Sequence, residues 1–409
     1  MKVLMVSEDI PHPHLGGLGK HALSLAHELH RLGHQVDVLG NADQPIAQCP
    51  GQAGPGRFFA DIRGHAKGWK QQALGVFHAP AVLLNAAALA RSITRHAPGY
   101  EVIHYHGHLP WVAAALPDGL PFVQTRHDQG GDCALKTRYR PEHGRCTALD
   151  PAACANCAAA APTVVQTAVT SQAVRLMRRR THLAYQRHPV IFVSQFLQDG
   201  FAAATGQAPQ GQVIHNAVDL APLRAVLAGA PTVGAEPDVR LFSAGALFAY
   251  KGYQALLEAL ARQPLPPGVY LAIAGDGPQL AVLQALAAAQ PRVALLGWQP
   301  YDRVLAHLAV ADAVIVPSDC DESCSTSILE ALAMGRQVLA LRRGGTPELS
   351  AYAQPGQLQL FNTIEELARA CAAQTRQPGP PAAAQVPLAG TMACMAAAVL
   401  AVYSQLIAR

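Results

Sequence analysis

Short apolar runs alternate with amphipathic stretches along most of the chain. Runs such as 2–6 (K-V-L-M-V), 239–244 and 314–316 predict buried strands. Stretches such as 18–32 and 253–262, whose apolar residues recur every three or four positions, predict helices. Strand and helix alternate in both halves, which predicts an α/β protein with two doubly wound parallel sheets and a cleft between them.

The length and the Gly/Pro-rich stretch 228–238 divide the chain. With 409 residues it exceeds the size at which a single core keeps growing. We therefore expect an N-terminal domain over 1–225, a C-terminal domain over 226–389, and a final helix over 390–409 that packs back on the N-terminal domain. Residues 44–75, rich in Gly, Pro and Gln, are expected to form a loop.

Composition and charge narrow the class of partner. Half of the residues are hydrophobic and 14% are charged, as in a well-buried globular protein. A net charge of +4 is too small to favour nucleic acid as a partner. No uninterrupted apolar run approaches the ~18 residues of a membrane span. The first apolar run is too short for a secretory signal, so a cytoplasmic location is expected.

The most informative stretch runs from Val314 to Ala333 and reads V-I-V-P-S-D-C-D-E-S-C-S-T-S-I-L-E-A-L-A. It predicts a strand, a polar loop and a helix that begins near Ser325. The first N–H groups of a helix lack partners and favour negative charge, so Ser325 and Thr326 are expected to bind a diphosphate. Glu322 and Glu330 flank that anion site and are expected to accept hydrogen bonds from sugar hydroxyls. The plainer interpretation is that Ser325 caps the helix and Glu330 is solvated.

Two other segments predict contacts with the same anion. Gly16 and Gly17 lie between the first strand and the first helix, where glycine lets the backbone approach a ligand closely. Gly40 and Asn41 stand where a dinucleotide-binding protein has an acidic residue, so NAD is not favoured. Lys251, at the carboxyl end of a strand in the second half, is expected to be a counter-charge; a plain surface lysine is the alternative.

Two histidines follow strands of the first half. His106 and His127 lie at carboxyl ends of strands, which is where ligands bind in open parallel sheets. Each of them could instead cap a strand or pack in a loop. For His104 and His108 the packing interpretation is favoured.

Nine cysteines, an odd number, indicate a reducing compartment. Four of them lie in an insert over 129–162, namely Cys133, Cys146, Cys154 and Cys157. Their number suits a tetrahedral structural zinc site in a loop too rich in Gly and Ala to pack unaided. The wide gaps between the first cysteines leave an iron–sulfur cluster, a redox pair and unligated thiols open.

A predicted helix over 170–187 is rich in arginine, with Arg175, Arg178, Arg179, Arg180 and Arg187. A solvated basic face is one interpretation. An acidic acceptor or a peripheral contact with a membrane surface is the other.

Together these segments resemble the retaining GT-B glycosyltransferases, the large family of bacterial sucrose, mannosyl and lipopolysaccharide transferases. The blocks that carry the resemblance occur in the family's order: G-G-L-G-K-H, V-I-H-N-A-V-D, G-A-L-x-x-x-K-G, A-G-D-G-P, A-D-A-V-I-V-P-S, E-x7-E and G-G-T-P-E. The resemblance implies two Rossmann-like domains facing a cleft. It also implies hexose transfer from a UDP-, GDP- or ADP-sugar to an unidentified acceptor, with retention and without a required cofactor.

The resemblance also implies roles for individual residues. Glu322 would contact the donor sugar, Glu330 the ribose, and Gly17 the phosphate from the other side. Lys251 and the backbone at Ser325 and Thr326 would bind the diphosphate. His127 matches a histidine near the reacting sugar, so the catalytic set is His127, Lys251 and Glu322.

One position departs from the family pattern. The family usually reads Gly-Arg-Leu before the lysine, whereas this chain has Ala246 in place of the arginine that pairs with the diphosphate. Arg342 and Arg343 are the candidates to replace that charge. The departure keeps a non-catalytic nucleotide-sugar-binding protein open as an alternative, beside a nucleotide-sugar epimerase or phosphorylase of similar architecture.

Overall fold

The structure is a computed structural model that describes residues 1–13, 15–63, 79–109, 111–140, 144–209, 211–229, 238–376 and 390–408. The strands, in chain order, are β1 Lys2–Val6, β2 Gln35–Asn41, β3 Phe58–Ile62, β4 Val102–His106, β5 Phe122–Arg126, β6 Tyr139–Arg140, β7 Gly144–Arg145, β8 Val190–Phe192, β9 Gly211–Val213, β10 Val239–Ala244, β11 Val269–Ala274, β12 Val293–Gly297, β13 Ala313–Val316, β14 Gln337–Leu341 and β15 Leu358–Phe361.

The helices, in chain order, are α1 Gly17–Arg31, α2 Ala79–His96, α3 Val112–Ala115, α4 Ala155–Ala158, α5 Val164–Arg187, α6 Gln195–Thr205, α7 Leu220–Gly229, α8 Tyr253–Arg262, α9 Leu280–Ala288, α10 Tyr301–Val310, α11 Thr326–Ala333, α12 Ile364–Ala372 and α13 Met392–Ile407. Among the described residues, no helix combines the length and the apolar character needed to cross a membrane.

The chain forms two compact units. The first comprises Met1–Arg138, Cys146–Asn216 and Met392–Arg409, and the second comprises Tyr139–Arg145 and Ala217–Thr391. The main division therefore precedes α7, whereas the sequence places it after residue 225. Helix α7 belongs to the second unit because it packs against α10 there. Helix α13 belongs to the first unit and packs on α1, β4 and β5.

The sheet of the first unit has the strand order β3-β2-β1-β4-β5-β8-β9, with every pair parallel. Strand β1 is almost wholly buried because its neighbours pair on both sides and helices cover the faces: Val3 lies opposite Val36 on β2 and Val102 on β4. The strand order reverses between β1 and β4. Ligands of doubly wound sheets bind at such a switch point, beyond the carboxyl ends of the strands.

The expected loop over 44–75 is wrong in one segment. Phe58–Ile62 forms β3 and pairs in parallel with β2. This five-residue edge strand has too short a pattern to be recognised alone, and it forms because β2 offers it a free edge. Residues 64–75 of the expected loop lie outside the described residues.

The sheet of the second unit has the order β12-β11-β10-β13-β14-β15, also with parallel pairs. Its core includes Leu256 and Leu260 of α8, which are fully buried against Leu241 and Ile273 of the sheet. The order reverses between β10 and β13, so the loops after these two strands lie at the switch point of this unit.

Candidate functional site

In the second unit, two hydrogen bonds join the loop after β10 to the loop after β13. The N–H groups of Asp319 and Cys320 both donate to the carbonyl oxygen of Tyr250, each at 3.0 Å. Gly252 allows this approach, because it has φ +74° and a Cβ there would lie 1.9 Å from the carbonyl oxygen of Pro317. The two loops therefore bring Lys251 beside the segment that precedes α11.

Lys251 and Glu322 form an ion pair, with Nζ 2.6 Å from Oε1. Their side chains are 26% and 15% exposed, so the pair is largely shielded from water. Burial alone would raise the pKa of Glu322, but the charge and hydrogen bond of Lys251 hold it below its ordinary value. Burial likewise opposes the charged form of Lys251, and Glu322 nevertheless raises its pKa. The sequence predicted both residues for this site but not their pairing.

The start of α11 leaves donors for an external acceptor. Ser325 is the N-cap residue, with extended backbone at φ −72° and ψ 111°, and its side chain makes no capping hydrogen bond. The interpretation of Ser325 as a mere side-chain cap is therefore not what the structure has. The first N–H groups of a helix have no intrahelical partner, so those at Thr326 and beyond point toward an acceptor outside the helix.

Glu330 contacts a tyrosine that the sequence analysis missed. The hydroxyl of Tyr301, at the start of α10, donates to Glu330 Oε1 at 2.8 Å. Burial and the nearby carboxylate raise the pKa of Tyr301 well above its ordinary value, so it stays a donor at all ordinary pH. No pattern in the sequence joins these residues, because they are 29 positions apart and meet only in the folded unit.

The loop after β14 holds the backbone of the Glu322 loop. Gly345 N–H donates to the carbonyl oxygen of Glu322 at 2.7 Å, and Gly344 N–H donates to Asp321 Oδ1 at 3.2 Å. Gly344 has φ +53°, and a Cβ there would lie 2.3 Å from the Glu322 carbonyl oxygen. The G-G-T-P-E block thus has a structural reason for its glycines, which is close backbone packing around Glu322.

The arginines proposed to replace the missing charge lie in the same region. Arg343 Nε donates to Asp319 Oδ1 at 3.2 Å, in the loop that also carries Glu322. Arg342, the residue before Arg343, is exposed. Ala246, which stands where the family has its arginine, is also exposed, in the loop after β10. Arg343 is therefore the better placed of the two candidates.

In the first unit, Gly16 and Gly17 open α1. Gly16 is the N-cap residue with extended backbone, and a Cβ on it would meet no atom within 4 Å. Packing within the described residues therefore does not require glycine at position 16. The contact of Gly16 and Gly17 with a phosphate stays a prediction.

His106 and His127 lie together at the carboxyl edge of this sheet. His106 Nδ1 is 3.1 Å from His127 Nε2. Burial lowers the pKa of both rings well below the ordinary value, so both are neutral near pH 7 and one donates its N–H to the other. His104 is a packing residue, since its two ring nitrogens contact the Tyr403 hydroxyl at 2.6 Å and the Thr125 hydroxyl at 2.7 Å.

His108 is more than a packing residue. Its ring nitrogens lie 2.7 Å from Asp128 Oδ2 and 3.2 Å from Asp9 Oδ2. Burial would lower its pKa, but the hydrogen bonds and charges of the two carboxylates raise the pKa to about 10. A cationic His108 therefore ties the loops after β1, β4 and β5 together.

The four cysteines of the insert form no disulfide. Cys154 and Cys157 lie in a 3-10 turn and in α4, which pack against α5, and the Cys133 thiol lies near Cys154. Burial raises the pKa of Cys133 to about 12. Cys146 follows the β6–β7 ribbon. Zinc at the four cysteines stays a prediction, and metal analysis of purified protein that finds neither zinc nor iron would remove it.

The Lys251–Glu322 pair gives the second unit a pH-dependent component of stability. Glu322 has a lowered pKa in the folded state, so its contribution is present above about pH 4.5 and is lost as the pH falls through the folded pKa. We expect wild type to exceed Glu322→Gln in free energy of unfolding near pH 7, and the difference to shrink below about pH 4. Denaturant titrations of both proteins at several pH values measure this difference in free energy of unfolding. A difference that does not vary with pH would contradict a stabilising ion pair between Lys251 and Glu322.

Comparisons with known proteins match both units. The sequence model of Glycosyltransferase Family 4 matches residues 15–222, and that of Glycosyl transferases group 1 matches residues 238–375. The chain is 35% identical over 133 residues to the lipopolysaccharide core biosynthesis glycosyltransferase LpsE of Rhizobium meliloti, covering 32% of this chain and 37% of that protein. It is 30% identical over 199 residues to a GDP-mannose-dependent phosphatidylinositol monomannoside mannosyltransferase of Mycobacterium tuberculosis, covering 45% and 51%. These matches thus span about half or less of each relative.

Solved structures are similar over nearly the whole chain. Sucrose-phosphate synthase from Thermosynechococcus elongatus superposes with a TM-score of 0.63 at 17% identity, covering 100% of this chain and 99% of that one. HepE from Anabaena, in complex with UDP-glucose, superposes with a TM-score of 0.59 at 21% identity, covering 99% and 98%. At these identities the likeness establishes the fold, which is the two-domain GT-B fold expected from the sequence.

Proposed function

The chain belongs to Glycosyltransferase Family 4, whose model covers half of it, and on that premise we propose that it transfers a hexose from a nucleotide diphosphate sugar to an acceptor with retention at the anomeric carbon. The observation that carries the proposal is the arrangement at the second unit's switch point. There the Lys251–Glu322 pair stands beside the free start of α11, and Glu330 is held by Tyr301. Cation, amide donors and two carboxylates are the groups that a nucleotide sugar requires.

The proposed chemistry follows the charge that develops during transfer. As the anomeric bond breaks, negative charge grows on the leaving diphosphate. Lys251 and the N–H groups at the start of α11 stabilise that charge electrostatically. The pairing with Glu322 keeps the ammonium group fixed before the donor arrives, which reduces the reorganisation needed in the transition state.

The carboxylates take the neutral parts of the donor. Glu330 accepts from the ribose hydroxyls while Tyr301 orients it, and Glu322 accepts from hydroxyls of the hexose. His127 is proposed to orient the hexose and is not assigned as a nucleophile. The departing phosphate takes the proton of the acceptor hydroxyl, so the sugar is delivered to the face that the leaving group vacates, which gives retention.

A thermal-shift panel of nucleotide sugars tests the proposal. UDP-, GDP- and ADP-sugars are the candidates, and two similar proteins are described with UDP-glucose and with GDP-mannose as ligand or donor. The correct donor at 100 times its dissociation constant should stabilise the fold by about 2.7 kcal/mol. Release of the nucleoside diphosphate with that donor would then report turnover. Stabilisation with neither hydrolysis nor transfer would favour a non-catalytic binding protein, and epimerised donor without acceptor would favour the epimerase.

The acceptor is proposed to lie at, or belong to, an anionic surface. Helix α5 exposes Arg175, Arg179 and Arg180 on the same side as Leu176 and Leu183, which are 38% and 43% exposed. Arg178 instead turns inward, where Nε donates to the carbonyl oxygen of Asp132 at 3.1 Å, and it is not part of this face. Basic and apolar residues on one helix face suit the interface of an anionic bilayer.

Sedimentation with lipid vesicles tests whether this face of α5 binds an anionic surface. We expect the chain to sediment with vesicles that contain an anionic lipid and much less with neutral ones. The triple variant Arg175→Gln, Arg179→Gln and Arg180→Gln should lose most of that binding, since each basic residue near such a surface contributes about 1 kcal/mol. Arg262→Gln, an exposed arginine of the second unit, is the matched control. Equal sedimentation of the triple variant and wild type would exclude this face.

A further inference from the structure

Three histidines of the first unit lie close together, outside the proposed donor site. His21 comes from α1, His106 ends β4 and His127 follows β5. The ring centroid of His21 lies 4.7 Å from that of His127 and 5.3 Å from that of His106. One ligand nitrogen from each of the three residues lies within 4.8 Å of the other two. In the described part of the chain, no other group of three His, Cys, Asp or Glu side chains comes this close.

One nitrogen of this cluster lacks a partner in the protein. His106 is fully buried, and its Nε2 atom has no hydrogen-bond partner. Buried polar atoms are nearly always paired, so an orphan of this kind calls for an explanation. His104, on the same strand, provides the contrast because both of its nitrogens are satisfied by hydroxyls. The hydrogen bonds within the protein therefore do not satisfy this cluster completely.

The geometry points to a divalent transition-metal ion, and we propose that His21, His106 and His127 form a binding site for one. Two nitrogens that each lie about 2.1 Å from a tetrahedral ion are about 3.4 Å apart. The 3.1 Å between His106 Nδ1 and His127 Nε2 is close to that separation. A ligand nitrogen of His21 lies within 4.8 Å of those of the other two residues, so the three rings can face one ion. Neutral imidazoles are the form that coordinates metals, and burial holds these rings neutral.

The donor set selects the kind of ion. Imidazole nitrogens bind Zn²⁺, Co²⁺, Ni²⁺ and Cu²⁺, whereas Mg²⁺, Ca²⁺ and Mn²⁺ prefer oxygen ligands. Three protein ligands leave a fourth position open for water or for an oxygen of a bound molecule. The site is chemically distinct from the cysteine insert, where any ion would be held by thiolates.

Occupation of the site would inhibit transfer, and this consequence rests on the proposed function. An ion bound to His127 removes that ring from the hexose it is proposed to orient. Metal would therefore act as a reversible inhibitor that a chelator relieves. The binding itself does not depend on the transferase assignment, so it is measured separately.

Titration of the metal-free full chain with Co²⁺ tests the site. We expect a histidine-type d–d band that accounts for one ion per chain. Any ion held by the four cysteines is distinguished by its sulfur-to-cobalt charge-transfer band, which the histidine site lacks. His21→Gln should weaken the binding at least tenfold. His27→Gln, on the exposed side of the same helix, should bind like wild type. Circular dichroism confirms that both variants are folded.

Two results would overturn the site. One is a histidine-type cobalt band with the same affinity in His21→Gln as in wild type, and the other is no such band in the wild type. In the activity arm, Zn²⁺ should inhibit wild type and His27→Gln alike, and should inhibit His21→Gln at least tenfold less effectively. Cobalt binding without any sugar transfer would sink the proposed function and leave the metal site standing; transfer without cobalt binding would do the reverse.

Discussion

Lys251→Met is expected to lower kcat by about 10²–10³-fold, with a smaller change in the KM for the donor. The ammonium group is proposed to neutralise charge that exists mainly in the transition state, and a methionine of similar length leaves the volume but removes the charge. The chain has no arginine at position 246 to share this role, so the loss should fall at the upper end of that range. Steady-state kinetics with the donor from the thermal-shift panel measure it.

The ion pair with Glu322 provides the control. Lys251→Met also leaves a largely buried carboxylate without its partner, which destabilises the fold. The double variant Lys251→Met and Glu322→Gln removes that stranded charge, so it should recover most of the lost melting temperature but none of the activity. Recovery of activity in the double variant would show that Lys251 serves only as the structural partner of Glu322.

The sequence predicted the parts of this protein that depend on local patterns. The spacing of apolar residues and the positions of glycines were enough to predict three features. These are the helix that begins at Gly17 and ends before Gly33, the strand–loop–helix around Ser325, and the alternation of strands and helices in both halves. Lys251 and Glu322 were predicted for one site because each follows the carboxyl end of a strand facing the same cleft, and because the family resemblance assigns both to the donor. The order of the sequence motifs along the chain indicated the family.

The sequence could not predict which side chains pair once the strands are in place. Tyr301 and Glu330 are 29 positions apart and form their hydrogen bond only in the folded unit. Lys251 and Glu322 form an ion pair although 71 positions separate them in the chain. His21 looked like an ordinary member of an amphipathic helix, yet it faces two histidines from separate strands. The edge strand β3 was missed for the same reason, since its pairing partner rather than its own pattern determines its conformation.

Glu330→Ala and Glu322→Ala are expected to fail in different steps. Glu330 is proposed to accept from the ribose in both the ground state and the transition state, so its loss should weaken binding of the nucleoside diphosphate by about tenfold or more, at about 1.5–3 kcal/mol for a charged hydrogen bond. The partner of Glu322 within the protein is Lys251, and of the parts of the donor Glu322 contacts only the hexose in this proposal. Its loss should leave nucleoside diphosphate affinity within about threefold of wild type and lower kcat by about 10–100-fold.

Calorimetric titration of the nucleoside diphosphate, paired with kinetics of the full donor, separates the two effects because the first ligand lacks the hexose. Tyr301→Phe should weaken nucleotide binding in the same direction as Glu330→Ala but less, since Glu330 then keeps its charge and loses only its orienting hydroxyl. Glu365→Ala, an exposed acid of the second unit paired with Arg262, should change neither quantity. Wild-type behaviour in both Glu330→Ala and Glu322→Ala would refute these separate roles. An equal loss of nucleoside diphosphate affinity in both variants would also refute them, because the ribose and the hexose would then not lie on opposite sides of a diphosphate bound at the start of α11.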